Sequence, residues 1–334
     1  MSRTTIAEIA ASLGVSVPTV SKVLNGRSDV APGTRARVDE ALKRHNYRRS
    51  VSPTARKSGL LDLVFRSMDN MWAHEIMLGV EEAASARRLS VVVSELRGAH
   101  RPPQRWLDGV MSRRPVGVIL ALSTLEDEQR EQLLARSIPF VVVDTEGQPP
   151  VGVPTVGSTN WDGGLAATRH LLELGHRRIG VISGAPHVLC SRARVDGYRS
   201  AHDEAGITPD PALIRWGDFT AEGGYQHATA LLALEDPPTA IFAGSDHQAL
   251  GVQRAAHEAG MRLPQDLSIV GYDDLPMTAW LSPPLTTVRQ PLREMGALAT
   301  RMVLSLAEGK ELVSMRMDLA TELVIRESTM PTSP

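Results

Sequence analysis

From Leu60 onward the chain alternates short apolar, β-branched runs with longer stretches of helical periodicity, and this alternation leaves few folds open. The runs fall at 60–65, 89–93, 117–121, 139–143, 178–182, 240–243, 267–272 and 286–288, with helical stretches near 73–88, 125–136, 163–174, 193–205, 222–233, 248–259 and 292–307. Strand and helix in alternation are the signature of parallel βαβ units. There are too many strands for one ordinary open sheet, and they cluster before about residue 156 and after about 178, so two doubly wound lobes are expected. In such sheets ligands sit beyond the carboxyl ends of the strands, a location that two facing lobes turn into a cleft. The segments placed there are 67–72, Ser123, Asp144, 183–194, 217–219, 244–246 and 271–274. Aromatic residues make up 4% of the chain, yet Trp72, Phe219 and Tyr272 all fall in these loops.

The first 48 residues follow a different pattern. Ile6, Ile9, Ala10 and Leu13 recur at helical spacing, as do Val20, Val23 and Leu24, giving two short helices whose apolar faces can bury only against each other. Gly14 supplies a left-handed residue to end the first helix, Ser16 is a suitable cap for the second, and Pro18 falls in a first turn that needs no backbone N–H there. A third helix from about Pro32 through Thr34, Val38 and Leu42 to Tyr47 completes a small core. Up to Gly59 there are eleven Lys and Arg against four acids, a net +7, so the remaining residues carry −9 to give the overall −2. A cationic head on an acidic body suits a phosphate backbone as partner, and the turn pattern is that of a DNA-reading helix-turn-helix. The alternative for a basic three-helix unit is a protein-interaction module.

At 334 residues, 42% hydrophobic and 22% charged, the chain has the composition of a soluble protein with two or three cores. No apolar run approaches the roughly 20 residues a membrane span requires, and the N-terminus begins a domain directly, so neither signal peptide nor anchor is expected. The single cysteine, Cys190, excludes an internal disulfide and suits the cytoplasm. Ten histidines lack metal-ligand spacing, so no metal or cofactor is expected, and His176 reads as a turn residue before a strand.

Further motifs run through the body: Gly163-Gly164, His170-Leu171 and 174–180 (Leu-Gly-His-Arg-Arg-Ile-Gly), then Ser191, Arg194 and Gly197-Tyr198, Ser245-Asp246 with Ala249-Leu250-Gly251, 271–274 (Gly-Tyr-Asp-Asp) and 284–288 (Pro-Leu-Thr-Thr-Val). Together with the N-terminal pattern, the sequence resembles the LacI/GalR family of bacterial transcription repressors over essentially its full length. The resemblance implies an all-α helix-turn-helix domain followed by an α/β periplasmic-binding-protein-like core of two doubly wound parallel-sheet lobes joined by three crossovers. The divisions expected are 1–48 for the DNA-binding domain, 49–59 for a basic linker, 60–156 with 288–317 for the first lobe, and 157–287 with 318–330 for the second. It further implies a homodimer on a pseudo-palindromic operator, a small effector in the cleft, commonly a sugar or oligosaccharide, and control of carbohydrate-utilisation genes. An activator, or a sensor of a nucleobase, is the alternative; a sugar-acting enzyme is a weaker one, because Asp273 and Asp274 are adjacent and point apart.

Residue by residue, the resemblance places Thr5, Ser16, Thr19, Ser21 and Asn25 against the DNA backbone and Val17, Pro18 and Lys22 at base edges. Val17 and Pro18 offer only apolar contact there, for example to a thymine methyl, while Lys22 can donate to guanine. In the linker, Ser50 stands where many family members have Asn, and Arg56 where they have the Leu that wedges into the minor groove. The linker is therefore expected to hold DNA through Arg48, Arg49, Arg56 and Lys57 and to kink it less. Effector contacts are placed at Asn70, Trp72, Arg192, Arg194, Phe219, Ser245, Asp246 and Asp273, a set that suits a carbohydrate: charged groups pair with vicinal hydroxyls and flat rings cover C–H faces. The alternatives are helix capping for Asp246 and Asp273 and lobe-core burial for Trp72.

Overall fold

The computed structural model describes residues 6–24, 30–45, 58–97, 101–145, 147 and 151–332. At the N-terminal end α1 (Ile6–Leu13) and α2 (Val17–Leu24) meet at 105°, and α3 (Pro32–Arg44) packs across both. Ile9, Ala10, Val20, Val23, Val38 and Ala41 form their core. The turn is built as its residues dictate. Gly14 takes φ +64, Val15 N–H donates to the Ala10 carbonyl, and the Ser16 hydroxyl accepts from Thr19 N–H to cap α2.

The rest forms two six-stranded sheets. The first runs, in spatial order, β11 (Arg316–Leu319), β5 (Thr155–Ser158), β4 (Phe140–Val143), β3 (Gly117–Ala121), β1 (Leu60–Phe65) and β2 (Ser90–Glu95), all parallel. The second runs β12 (Glu322–Val324), β10 (Thr286–Arg289), β9 (Ser268–Asp273), β8 (Ala240–Ala243), β6 (Ile179–Ser183) and β7 (Ile214–Trp216), parallel except for β12. Helices α4 (Met71–Ser85) and α11 (Leu292–Ala307) cover one face of the first sheet, α5 (Gln104–Arg113) and α6 (Asp127–Ala135) the other. On the second sheet α7 (Asn160–Glu173) and α8 (Leu189–Glu204) lie opposite α9 (Ala221–Leu232) and α10 (Asp246–Glu258). Both faces are covered, which is why the central strands read as unbroken apolar runs. Asp62, buried on β1, is the exception, and Arg113 at the end of α5 pairs with it at 2.5 Å.

Three crossovers join the lobes. The chain passes from β5 through Thr159 into α7, from β10 through Gln290 into α11, and from β11 through Thr321 into β12. The Thr159 and Thr321 hydroxyls lie 3.0 Å apart, and the Ser158 hydroxyl donates to Gln290 Oε1. The divisions expected at 156/157, 287/288 and 317/318 each cut a strand, and the crossings fall two to three residues later. Strand identity here is set by which sheet edge is free, and local sequence does not encode that.

Candidate functional site

Helix α2 presents a distinct exposed face. Val20 and Val23 are buried, while Ser16, Val17, Pro18 and Lys22 are exposed, Val17 at 46%. Ser16 and Thr19 share a 2.8 Å hydroxyl–hydroxyl bond, and Ser21 is half-buried. Val17 and Pro18 stand outside the three-helix core, so packing does not account for them. An apolar pair at the helix start, with a lysine one turn on along the exposed face, can meet a groove wall and a base edge. Thr5, Asn25, Arg48, Arg49, Arg56 and Lys57 lie outside the described residues.

Between the lobes, at the carboxyl ends of both sheets, the buried guanidinium of Arg194 organises a polar cluster. It projects from the first half of α8, lies 3.7 Å from the Tyr272 ring centroid and 5.3 Å from that of Phe219, and donates to Asn160 Oδ1 (2.8 Å) and the Gly244 carbonyl. Its position depends on Gly164, because any Cβ there would strike the backbone of Arg194 itself. The Asn160 amide donates to the Ser158 carbonyl, and Gln290 donates to Asp273 Oδ1 at 2.6 Å, so the crossovers and the cluster form one hydrogen-bonded unit. Asp144, from the first lobe, and Asp273, from the second, both feel the Arg194 charge. Burial pushes the Asp144 carboxyl up to about 6, with Arg194 opposing and Asp318 reinforcing. Asp273 is raised for the same first reason, against the pull of Arg194 and Gln290. Asp144, Phe219 and Asp273 all take positive φ (+47, +67 and +117), backbone strain that sits at the strand ends. The Tyr272 and Ser191 hydroxyls and Gln248 Oε1 are buried and have no hydrogen-bond partner among the described residues.

The cluster brings together Arg194, Phe219 and Asp273 from the sequence-based set and corrects several other members. Asp246 is fully buried, with its oxygens taken by Leu275 N–H (2.7 Å) and the Thr287 hydroxyl (2.6 Å), so it is a structural tie. Ser245 caps α10 and donates to the Phe219 carbonyl, holding that ring in place. Asn70 caps α4, and Trp72 packs against the first lobe's core. Arg192 is exposed and has no part in the cluster. Asp273 and Asp274 do diverge: Asp274 turns away to Arg289 and Arg326. His176 is buried between Thr239 and the Met330 carbonyl. Sequence reasoning missed Asn160 and Gln290, and it placed Asp144 at a strand end in the cleft without including it among the effector contacts.

The chain matches the family described as bacterial regulatory proteins, lacI family, over residues 5–50, and a periplasmic binding protein-like domain over 168–329. It is 33% identical over 334 residues to the HTH-type transcriptional repressor PurR of Haemophilus influenzae (strain PittEE), covering 97% of this chain and 98% of that one. The chain belongs to the LacI family. The HTH-type transcriptional repressor CytR of Escherichia coli (strain K12) is 32% identical over 331 residues, covering 97% and 96%. Among solved structures of the family, a transcriptional regulator CelR–cellobiose complex superposes with a TM-score of 0.73 at 32% identity (98% and 100% covered). The lac repressor dimer bound to operator and the anti-inducer ONPF gives 0.71 at 28% (98% and 100%). The chain is thus a LacI-family transcriptional repressor, not an enzyme, with the helix-turn-helix and two-lobe architecture of that family.

Proposed function

We propose that the chain represses transcription in the cytoplasm as a homodimer on a pseudo-palindromic operator. A polyhydroxylated effector, a sugar or oligosaccharide, enters beside Arg194 and shifts the lobes between two arrangements of unequal DNA affinity. The observation that carries this reading is Arg194 itself, a buried guanidinium between one carboxylate from each lobe and two aromatic rings. Paired ionic groups reach vicinal hydroxyls, and Phe219 offers a flat face to ring C–H groups. Solved relatives hold cellobiose and ribose, which supports the same class. A dimer presents two α2 helices to half-sites, and an effector with different affinity for two lobe arrangements changes whether both helices dock.

Operator binding followed by fluorescence anisotropy, with a panel of mono- and oligosaccharides and of nucleobases, tests the proposal. At least one saccharide should change operator affinity by roughly 5–150-fold, the range of a coupling of about 1–3 kcal/mol. Asp273→Ala should abolish that response while leaving DNA affinity intact. A response confined to nucleobases would overturn the effector class.

A further inference from the structure

Next to the Arg194 cluster lies a cavity of about 290 Å³, walled by the end of β4, by β5 and β11, and by the first turns of α7 and α8. Its lining carries three carboxylates, Asp144, Asp162 and Asp318, against one guanidinium, Arg316. Asp144 is only 7% exposed, yet among the described residues nothing donates a hydrogen bond to its carboxyl. Arg316 occupies Oδ2 of Asp318 at 2.8 Å. The other oxygen of Asp318 converges with Asp144 over Gly157: a Cβ built there would stand 2.8 Å from Asp318 Oδ1 and 3.5 Å from Asp144 Oδ1. A side chain at Gly157 would have to push the Asp318 carboxylate aside, so glycine leaves both carboxylates room to face the same space. Trp161, 42% exposed, supplies the aromatic wall.

Two carboxylate oxygens facing a common space repel each other unless a cation lies between them. Arg194 offsets part of the Asp144 charge, but among the described residues its hydrogen bonds go to Asn160 and Gly244 and none reaches Asp144. The geometry points to a subsite for a primary ammonium group, held between Asp144 and Asp318 beside the Trp161 ring, so that the effector is an amino sugar or a related amine. An ammonium has three donors for two carboxylates, and an aromatic face adds attraction for the cation. This assignment rests on the effector reading above and narrows its ligand class.

The test is calorimetric titration of the full chain at pH 7.5 with glucosamine against glucose and galactosamine against galactose. At least one amine should bind tenfold or more tightly than its neutral counterpart. Asp318→Asn, nearly isosteric at an exposed edge strand, should bring that ratio close to one. A neutral sugar that binds as tightly as its amine overturns the ammonium subsite and leaves the polyol reading standing. Amino sugars that bind where no neutral sugar does uphold the subsite and remain within the polyol reading. If no amine binds, or if Asp318→Asn leaves the ratio unchanged, the assignment is wrong.

Discussion

At the scale of single residues, the site is built from charges held where burial opposes them. An Asp whose folded pKa is about 6, against 3.8 ordinarily, holds its proton more readily folded than unfolded. Its contribution to stability is present below about pH 4 and is lost as pH rises through about 6, a cost on the order of 3 kcal/mol at most. Asp144→Asn should therefore raise the thermal midpoint relative to the parent chain at pH 7.5 by a few degrees, with the difference shrinking towards pH 4. A difference independent of pH, followed by differential scanning fluorimetry, would contradict this. On α2, Lys22→Ala should weaken discrimination between operator and random DNA by about 1–3 kcal/mol per lost base contact. Uniform weakening on all sequences would instead make Lys22 a phosphate contact. The residues misread from sequence were claimed by other local demands. Asn70 and Ser245 follow strands just as ligands do, but they also start helices, and helix starts claim oxygen acceptors first, while the Asp246 oxygens are taken by Leu275 N–H and the Thr287 hydroxyl.

At the scale of elements, glycines on the paired helices are packing devices. Gly164 on α7 and Gly197 on α8 let the two backbones touch, and Gly79 with Gly296 and Gly224 with Gly251 do the same for α4 with α11 and α9 with α10. Gly164→Val should push α8 away and displace Arg194, so effector binding should fall at least tenfold while the helix-turn-helix still binds DNA. Loss of salt-sensitive DNA binding in the same variant would instead signal a global fold defect. The long elements were legible because they are buried on a whole face or stripe. Strands β5, β7, β11 and β12, three or four residues each, were not, since so short a segment has no period and its partner is chosen by a free sheet edge. Helix α5 escaped as well: its buried set, Trp106, Leu107 and Val110, spans barely one turn after Pro102-Pro103. Arg194, Phe219 and Asp273 were readable from their places after strands, whereas Asn160 and Gln290 sit on crossovers whose meeting is a tertiary event.

At the scale of the whole molecule, the crossovers are the path by which the cleft can influence the DNA-reading heads. Ser158, Gln290 and Asp273 form a continuous hydrogen-bonded chain from the first lobe's β5 to the second lobe's β9. Leu275, which follows β9, is buried in the first lobe's core while its N–H bonds Asp246 on α10 of the second. A ligand that draws the lobes together must act on this seam, and whatever it does to DNA affinity must be returned in kind. The most direct test is therefore the effector's dissociation constant, measured calorimetrically with and without saturating operator DNA. The account predicts that operator changes effector affinity by the same factor, and in the same direction, as effector changes operator affinity. An effector that binds the cleft identically whether or not operator is present would contradict it.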